Sequence, residues 1–220
     1  MKTDDLIVEL ARSARPVEPL PSPSARLVRW AVAMIPLMLL AVFAIGPRRD
    51  VSVAMSDAGF MGLAAITIIT ALLAAASALV LSVPGAERSP WQRALPLLSG
   101  GAWVVALAYS LAMEGAAIDR LLRWPIHVAC IIEIAFLGFF AGAALFGMLR
   151  DAAPLRWAWT GALAALAGVA VAAAATQFIC PIDDQAHQLV GHVLPVAVLS
   201  MLGVLLGHRF LNWPNRSLTR

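Results

Sequence analysis

Six long runs of apolar residues, separated by short polar or proline-containing stretches, dominate the pattern of this chain. Each run is continuous, whereas a transmembrane β-strand would alternate apolar and polar side chains. A helix needs about 20 apolar residues to cross the hydrocarbon of a bilayer, and a helix satisfies its own backbone hydrogen bonds there. The pattern therefore predicts an all-α, polytopic membrane bundle with six transmembrane helices, at residues 30–46, 59–83, 94–113, 127–149, 155–179 and 189–206.

The segment before the first run is a separate unit. Apolar side chains recur there at helical spacing, and a proline-rich stretch follows them. This predicts a short amphipathic helix over residues 3–14 and an extended, semi-rigid spacer over residues 15–25. The expected organisation is a tail at 1–25, a transmembrane domain at 26–210 and a second short tail at 211–220.

The predicted tail helix is marginal in water by itself, so its apolar face needs a partner surface. Leu6, Ile7 and Leu10 form that face, and Asp4 and Asp5 lie in the first turn, where the helix dipole favours carboxylates. Helices that lie on a membrane are usually rich in Lys and Arg. The acids of this helix favour docking on another protein, with a helix on the bilayer or a frayed tail as alternatives.

Composition and charge agree with a membrane bundle and predict its orientation. The 220 residues are 61% hydrophobic and 13% charged, with a mean hydropathy of +0.83, which excludes a soluble domain of ordinary composition. Of the 16 Lys and Arg residues, twelve fall on the side of the two termini and four on the other. Short loops rich in basic residues stay in the cytoplasm, so both termini are expected there. The net charge of +3 then follows from topology and gives no support to direct nucleic-acid binding.

Polar residues with possible chemistry gather at the predicted outer face. The run His127-x2-Cys130-x2-Glu133 keeps three such side chains on one side of a helix, and both cysteines and three of the four histidines fall at this depth. Thiolate, imidazole and carboxylate are ligands for zinc, copper or cadmium, while two thiols can instead close a disulfide. Separate packing roles are the third interpretation. The candidate sensing or metal-ligating residues are His127, Cys130, Glu133, Cys180, Asp183, Asp184, His187 and His192.

The sequence contains no motif typical of an enzyme. A P-loop, a G-x-S-x-G elbow, an H-E-x-x-H helix and a C-x-x-C pair are all missing. We therefore expect no enzymatic activity and no obligatory cofactor, with zinc, copper or cadmium entering only as a signal. A small metal or solute transporter is the alternative function, although it predicts ionisable residues near the bilayer midplane, which the spans do not clearly show. The oligomeric state stays open.

One combination of features extends over essentially the full chain. It comprises the opening MKTDDLI, the proline-rich spacer, six spans, Cys130 with Glu133, and Cys180-Pro181-x-Asp183 with the later His192 and Pro195. This combination resembles the NrsF (negative regulator of sigma F) family of bacterial anti-sigma factors. The resemblance implies that the tail holds an extracytoplasmic-function sigma factor at the inner membrane, and that the two outer cysteines are needed for release under metal or oxidative stress. It also leads us to expect an aromatic residue before the last histidine, where this chain has Gly191.

Overall fold

The computed structural model describes residues 2–14, 19–85, 89–113, 126–152 and 154–212. Within these ranges the regular structure is all helical. The elements are α1 (Thr3–Ser13), α2 (Pro23–Ile45), α3 (Val51–Ala54), α4 (Ala58–Leu81), α5 (Trp91–Met113), α6 (Val128–Arg150), α7 (Trp157–Gln177), α8 (Gln185–His187), a π-helical turn (Gln188–Val193) and α9 (Leu194–Leu211). Six described stretches are long and apolar enough to cross a membrane: α2, α4, α5, α6, α7 and the continuous stretch from α8 to α9. The prediction of a six-helix membrane bundle is confirmed.

The first long helix begins earlier than its apolar run. Ser22 is the N-cap, and its side chain accepts a hydrogen bond from the backbone N–H of Ala25 at 3.3 Å. Pro23 occupies the first helical position, where its missing N–H breaks no hydrogen bond. Residues 23–25, predicted as the end of the spacer, are therefore the first turn of α2. Residues 15–18 and 213–220 lie outside the described ranges.

The long helices run alternately up and down, so the bundle has two ends. At the tail end, where α2 begins, Arg26 bonds to Ser82 just after α4, and the ring of Trp157 at the start of α7 contacts that of His208 in α9. At the cysteine end, Arg48 follows α2 and contacts the loop after α7. The start of α2 and the end of α9 thus lie at the same end of the bundle, as an even number of spans requires.

Helix α7 lies at the centre of the bundle because its small side chains let its neighbours approach. Of its most apolar stretch, 67% is buried. A Cβ at Gly168 would lie 2.5 Å from the backbone nitrogen of Gly142 in α6, and one at Gly161 would lie 2.6 Å from Cα of Gly207 in α9. Small residues allow such close backbone packing in membranes. Helix α7 therefore fixes α6 and α9, which carry part of the site described below.

The tail helix has the predicted amphipathic form. The carboxylate of Asp5 accepts a hydrogen bond from the backbone N–H of Lys2 at 3.3 Å and so satisfies the start of α1. Helix α1 buries none of its residues. Its apolar face is open, with Leu6, Ile7 and Leu10 exposed by 41%, 58% and 60%. Nothing within the described chain covers these side chains, so the face is available to a partner.

Candidate functional site

Four side chains meet inside the cysteine end of the bundle, and we call them the cysteine–histidine cluster. The two sulfur atoms and one ring nitrogen from each histidine all lie within 4.8 Å of one another, and all four residues are buried. Both cysteines are free thiols. The members are Cys130 in the first turn of α6, Cys180 in the loop after α7, His187 at the end of α8 and His192 in the π-helical turn. Three separate segments therefore contribute to one small polar volume.

The π-helical turn brings the two histidines to the same side. In an α-helix each residue advances by about 100°, so side chains five positions apart would point about 140° away from each other. A π-helix closes its hydrogen bonds between residues five apart, which aligns such positions. His187 immediately precedes this turn and His192 lies within it, with ring centroids 5.6 Å apart. Such turns occur frequently at functional sites.

Gly191 leaves the space that the His187 ring occupies. A Cβ built at Gly191 would lie 3.1 Å from Cε1 and 3.2 Å from Nε2 of His187. These separations are shorter than ordinary van der Waals contact, so any side chain at position 191 would push on the ring. The glycine found where the resemblance led us to expect an aromatic residue thus has a steric role in this chain.

His187 has contacts on both edges of its ring. Its Nε2 lies 3.4 Å from Sγ of Cys130 and 3.2 Å from Sγ of Cys180, while its Nδ1 lies 3.0 Å from Nδ1 of His127. With its proton on Nε2, His187 donates to the cysteine sulfurs; with its proton on Nδ1, it donates to His127 and leaves the Nε2 lone pair free to bind a metal ion. Metal-ligating histidines are commonly held by a second hydrogen bond of this kind. The structure therefore gives His127 contact with a candidate ligand and leaves it outside the cluster.

His192 and Cys180 differ in how their polar atoms are satisfied. His192 is 0% exposed, and in the described part of the chain neither of its ring nitrogens has a hydrogen-bond partner. Leaving a buried polar group unpaired costs about 1–3 kcal/mol. Cys180 lies outside the spanning helices, and a hydrogen bond from the Cys130 thiol, together with one involving His187, holds the pKa of the Cys180 thiol well below its ordinary value. Two cysteine sulfurs and two imidazoles at one buried point suit the binding of a cation.

Comparison with known proteins assigns the chain to a family. The family model described as "Negative regulator of sigma F" matches residues 10–213. The chain belongs to the NrsF family. It is also similar to the probable anti-sigma-F factor NrsF of Azospira oryzae, with 31% identity over 220 residues that cover 97% of this chain and 100% of the relative. No solved structure matches it. The family resemblance is thereby confirmed, and the six apolar helices make this NrsF-family protein a membrane protein.

The three predicted carboxylates of this NrsF-family protein lie outside the cluster. Glu133 is half-buried one turn further along α6, and its Oε2 has no hydrogen-bond partner among the described residues. Asp184 is the N-cap of α8, because its Oδ1 accepts a hydrogen bond from the backbone N–H of Ala186 at 3.2 Å. Asp183 pairs with a buried arginine instead. Of the eight candidates, the structure brings four together as potential ligands.

The buried arginine is Arg48, which the sequence did not single out. Its guanidinium donates to both carboxylate oxygens of Asp183, at 2.7 and 2.6 Å, and to both of Asp50, at 2.7 and 2.8 Å, and it lies 5.4 Å from the ring centroid of Phe60. Hydrogen bonds with Asp183 and Asp50 raise the pKa of Arg48, and the bond from Arg48 lowers the pKa of Asp50. The available sequence signal was an arginine beside Pro47 in a short loop.

Proposed function

We propose that this NrsF-family protein is a non-enzymatic anti-sigma factor of the bacterial inner membrane. Helix α1 binds an extracytoplasmic-function sigma factor in the cytoplasm. The cysteine–histidine cluster on the outer side senses a soft metal ion or an oxidant, and this signal causes α1 to release the sigma factor. The observation that carries the sensing half is the burial of four potential ligands within 4.8 Å of one another, one of them an unpaired imidazole.

The spacing of the cluster fits a tetrahedral metal. Zinc binds sulfur at about 2.3 Å and imidazole nitrogen at about 2.0–2.1 Å, so neighbouring ligand atoms of a tetrahedral site are separated by about 3.3–3.8 Å. The two sulfur–nitrogen distances to His187, 3.4 and 3.2 Å, are close to this range already. Two sulfurs and two nitrogens suit zinc or copper, and the same soft donors would hold cadmium. The ion enters as a signal, so no obligatory cofactor is required.

Oxidation is the second way to change the same cluster, because Cys130 and Cys180 are free thiols whose sulfurs lie within 4.8 Å. Two thiols lose two protons and two electrons when they form a disulfide, and a peroxide such as H₂O₂ takes these up to give two water molecules. A disulfide leaves His187 and His192 without a role. The two buried histidines therefore favour the metal as the primary signal.

The sigma-binding half of the proposal rests on α1 and on charge. The apolar face of Leu6, Ile7 and Leu10 is exposed, and a helix this short needs a partner to be stable. Asp4 and Asp5 give the same helix an acidic first turn, which suits a basic rim on the partner. Twelve of the 16 basic residues lie on the side of the termini, which supports a cytoplasmic tail.

Binding of a sigma factor by the full chain in lipid nanodiscs tests both halves. We expect the host's extracytoplasmic-function sigma factor to bind the wild-type protein and the Val8→Asp variant, and to bind Leu10→Asp at least about tenfold more weakly, since a charge in an apolar contact loses 1.4 kcal/mol or more. Val8 is the matched control because it is also exposed, at 49%, and lies about 160° around α1 from both Leu6 and Leu10.

The sensing half is measured in the same assay with zinc or cadmium chloride. We expect either metal to weaken sigma binding by about 5- to 150-fold, the usual range for coupled sites. The double variant Cys130→Ser, Cys180→Ser should bind sigma and ignore the metal. A wild-type response in that variant would contradict the sensor role. Failure to bind sigma, combined with metal uptake into proteoliposomes, would replace the whole proposal with the transporter.

A further inference from the structure

The outer end of α2 is attached to the loop that carries Cys180. The backbone N–H of Arg48 donates to the carbonyl of Phe178 at 3.0 Å, and its side chain forms the two-pronged bond to Asp183. Phe178 lies two residues before Cys180 and Asp183 three residues after it. Arg48 is 4% exposed, and paired charges of this kind form short, directional bonds. The loop therefore cannot move far without moving the end of α2.

The inner half of α2 is attached to the helix that carries Cys130. Arg26, also 4% exposed, donates to the carbonyl of Met148 and to Oγ of Ser82. One turn further along α2, the indole Nε1 of Trp30 donates to the carbonyl of Ala141 at 3.0 Å. Met148 and Ala141 both belong to α6. Helix α2 is thus bonded to both of the cysteine-bearing segments, one near each of its ends.

Apart from these bonds, α2 lies at the edge of the bundle and packs on it mainly through one stripe of side chains, Trp30, Met34 and Met38. Only 17% of its most apolar stretch is buried, against 67% for α7. An apolar groove of about 650 Å³ separates part of α2 from α4 and α7, and it is lined by residues that include Met34, Met38, Ala71, Val171 and Phe178. A helix with few interdigitated side chains can tilt without repacking a core. The tail helix α1 ends at Ser13, and residues 14–22 join it to the start of α2 at Pro23.

We propose that α2 is the element that transmits the state of the cysteine–histidine cluster to α1, with Arg48 and Arg26 as its two attachment points. This inference rests on the proposed function. Ligand atoms up to 4.8 Å apart must approach to about 3.3–3.8 Å around a tetrahedral ion. That contraction draws the Cys180 loop toward α6. Because Arg48 is bonded to the loop and Arg26 to α6, the contraction changes the tilt of α2 and hence the position of the tail.

Paired arginine variants of the full chain in nanodiscs test this transmission. The measured quantity is the ratio of the sigma-factor Kd with zinc to that without it, together with zinc binding itself. The matched pairs are Arg48→Gln with Arg49→Gln, and Arg26→Gln with Arg29→Gln. Arg49 and Arg29 are exposed neighbours of the same charge. Arg26 lies about 28 Å of helical rise from Ile45, the last residue of α2, and Arg48 lies beyond that end, so replacing Arg26 does not disturb the cluster directly.

We expect Arg48→Gln and Arg26→Gln to keep one zinc per protein with wild-type affinity, while the Kd ratio falls from the wild-type value of about 5–150 to less than about 3. The two control variants should keep the wild-type ratio. If Arg48→Gln failed to fold or to bind zinc, Arg26→Gln would still give the result. A wild-type ratio in either folded arginine variant would overturn the proposal.

The same measurements distinguish failure of the proposed sensor function from failure of the proposed role of α2. If the wild-type protein does not bind the sigma factor, or if zinc does not change the wild-type Kd, the proposed function is wrong. The wild-type measurements alone give this result. If the wild-type protein responds and the arginine variants respond equally, the sensor stands and α2 is not its transmitter. A normal response in Arg49→Gln and Arg29→Gln excludes a general effect of lost positive charge.

Discussion

Replacing Gly191 by alanine should separate the metal affinity of the cluster from the stability of the fold. The added Cβ would stand 3.1 Å from Cε1 and 3.2 Å from Nε2 of His187. The ring has little freedom to retreat, since it is held by contacts of 3.0 Å to His127, 3.4 Å to Cys130 and 3.2 Å to Cys180. Relief of the clash therefore moves Nε2 by a few tenths of an ångström.

The size of the effect follows from two opposing terms. Alanine is favoured over glycine inside a helix by about 0.5–1 kcal/mol, whereas overpacking of a close-packed interior costs about 1–3 kcal/mol. The two partly offset, so the stability of the metal-free protein should fall by between about 0 and 2.5 kcal/mol. Metal sites tolerate errors of about 0.2 Å in ligand distance. We therefore expect the zinc affinity to fall by about 10- to 100-fold, as it does when the support of a ligating histidine is disturbed.

Zinc competition against a chromophoric chelator measures this affinity in nanodiscs, and thermal unfolding of the metal-free protein gives the stability. Gly147→Ala is the matched control, because a Cβ at that position in α6 meets nothing within 4 Å. The double cysteine variant gives the baseline without thiol ligands. If Gly191→Ala bound zinc with wild-type affinity while the double cysteine variant bound it weakly, the reasoning would be refuted. His187 would then not be a zinc ligand whose position depends on the space beside Gly191.

Three further predictions concern single contacts. His127→Ala should lower zinc affinity by about 10- to 100-fold in the same titration, since it removes the hydrogen-bond partner of a ligand, and an equal loss in His208→Ala at the tail end would contradict this. Trp30→Phe should destabilise the bundle by about 0.5–1.5 kcal/mol, because it loses a buried hydrogen bond to α6; an unchanged thermal midpoint would argue against that bond. Gly168→Val should prevent folding or destabilise by several kcal/mol in thermal or detergent unfolding, whereas Gly101→Val, with nothing within 4 Å of its Cβ position, should be tolerated.

The spans and the depth of the polar residues were predictable because the bilayer imposes them on the sequence. Continuous apolar runs leave only helices as a solution. Four of the six spans match their predicted bounds within three residues, whereas α2 begins seven residues early and the last span is four to five residues longer at each end. Once the direction of each span is known, every residue at the end of a run has a known depth. Cys130, Cys180, His187 and His192 could therefore be placed at the same face from sequence alone, although not in contact.

Two features of the site could not be predicted from the sequence. They are the relative direction of the His187 and His192 side chains and the pairing of Arg48 with Asp183, which is distant in sequence. The periodicity of the last apolar run is compatible with a regular α-helix, in which His187 and His192 would diverge, and the π-helical turn has no composition signal of its own. Arg48 and Asp183 are separated by 135 positions, and their pairing depends on how the α2 end meets the loop after α7. Charge counting assigned Arg48 to a side of the membrane and gave no reason to pair it.

The difference in packing between the helices determines which segments move when the cysteine–histidine cluster contracts around a metal ion. Helices α6 and α9 are locked to α7 by glycine contacts with no space for a methyl group, so they resist a change in separation. The Cys180 loop has no such packing, and α2 is bonded to that loop while most of its apolar stretch is not buried. A ligand shifts an equilibrium only through its different affinity for the two states. A hundredfold release of sigma requires about 2.7 kcal/mol, a small part of the roughly 10–16 kcal/mol with which structural zinc sites bind. The positions of the ligand atoms in the metal-free protein therefore need to differ only modestly from those of the metal-bound site. The segments that can move to remove this difference are the Cys180 loop and α2.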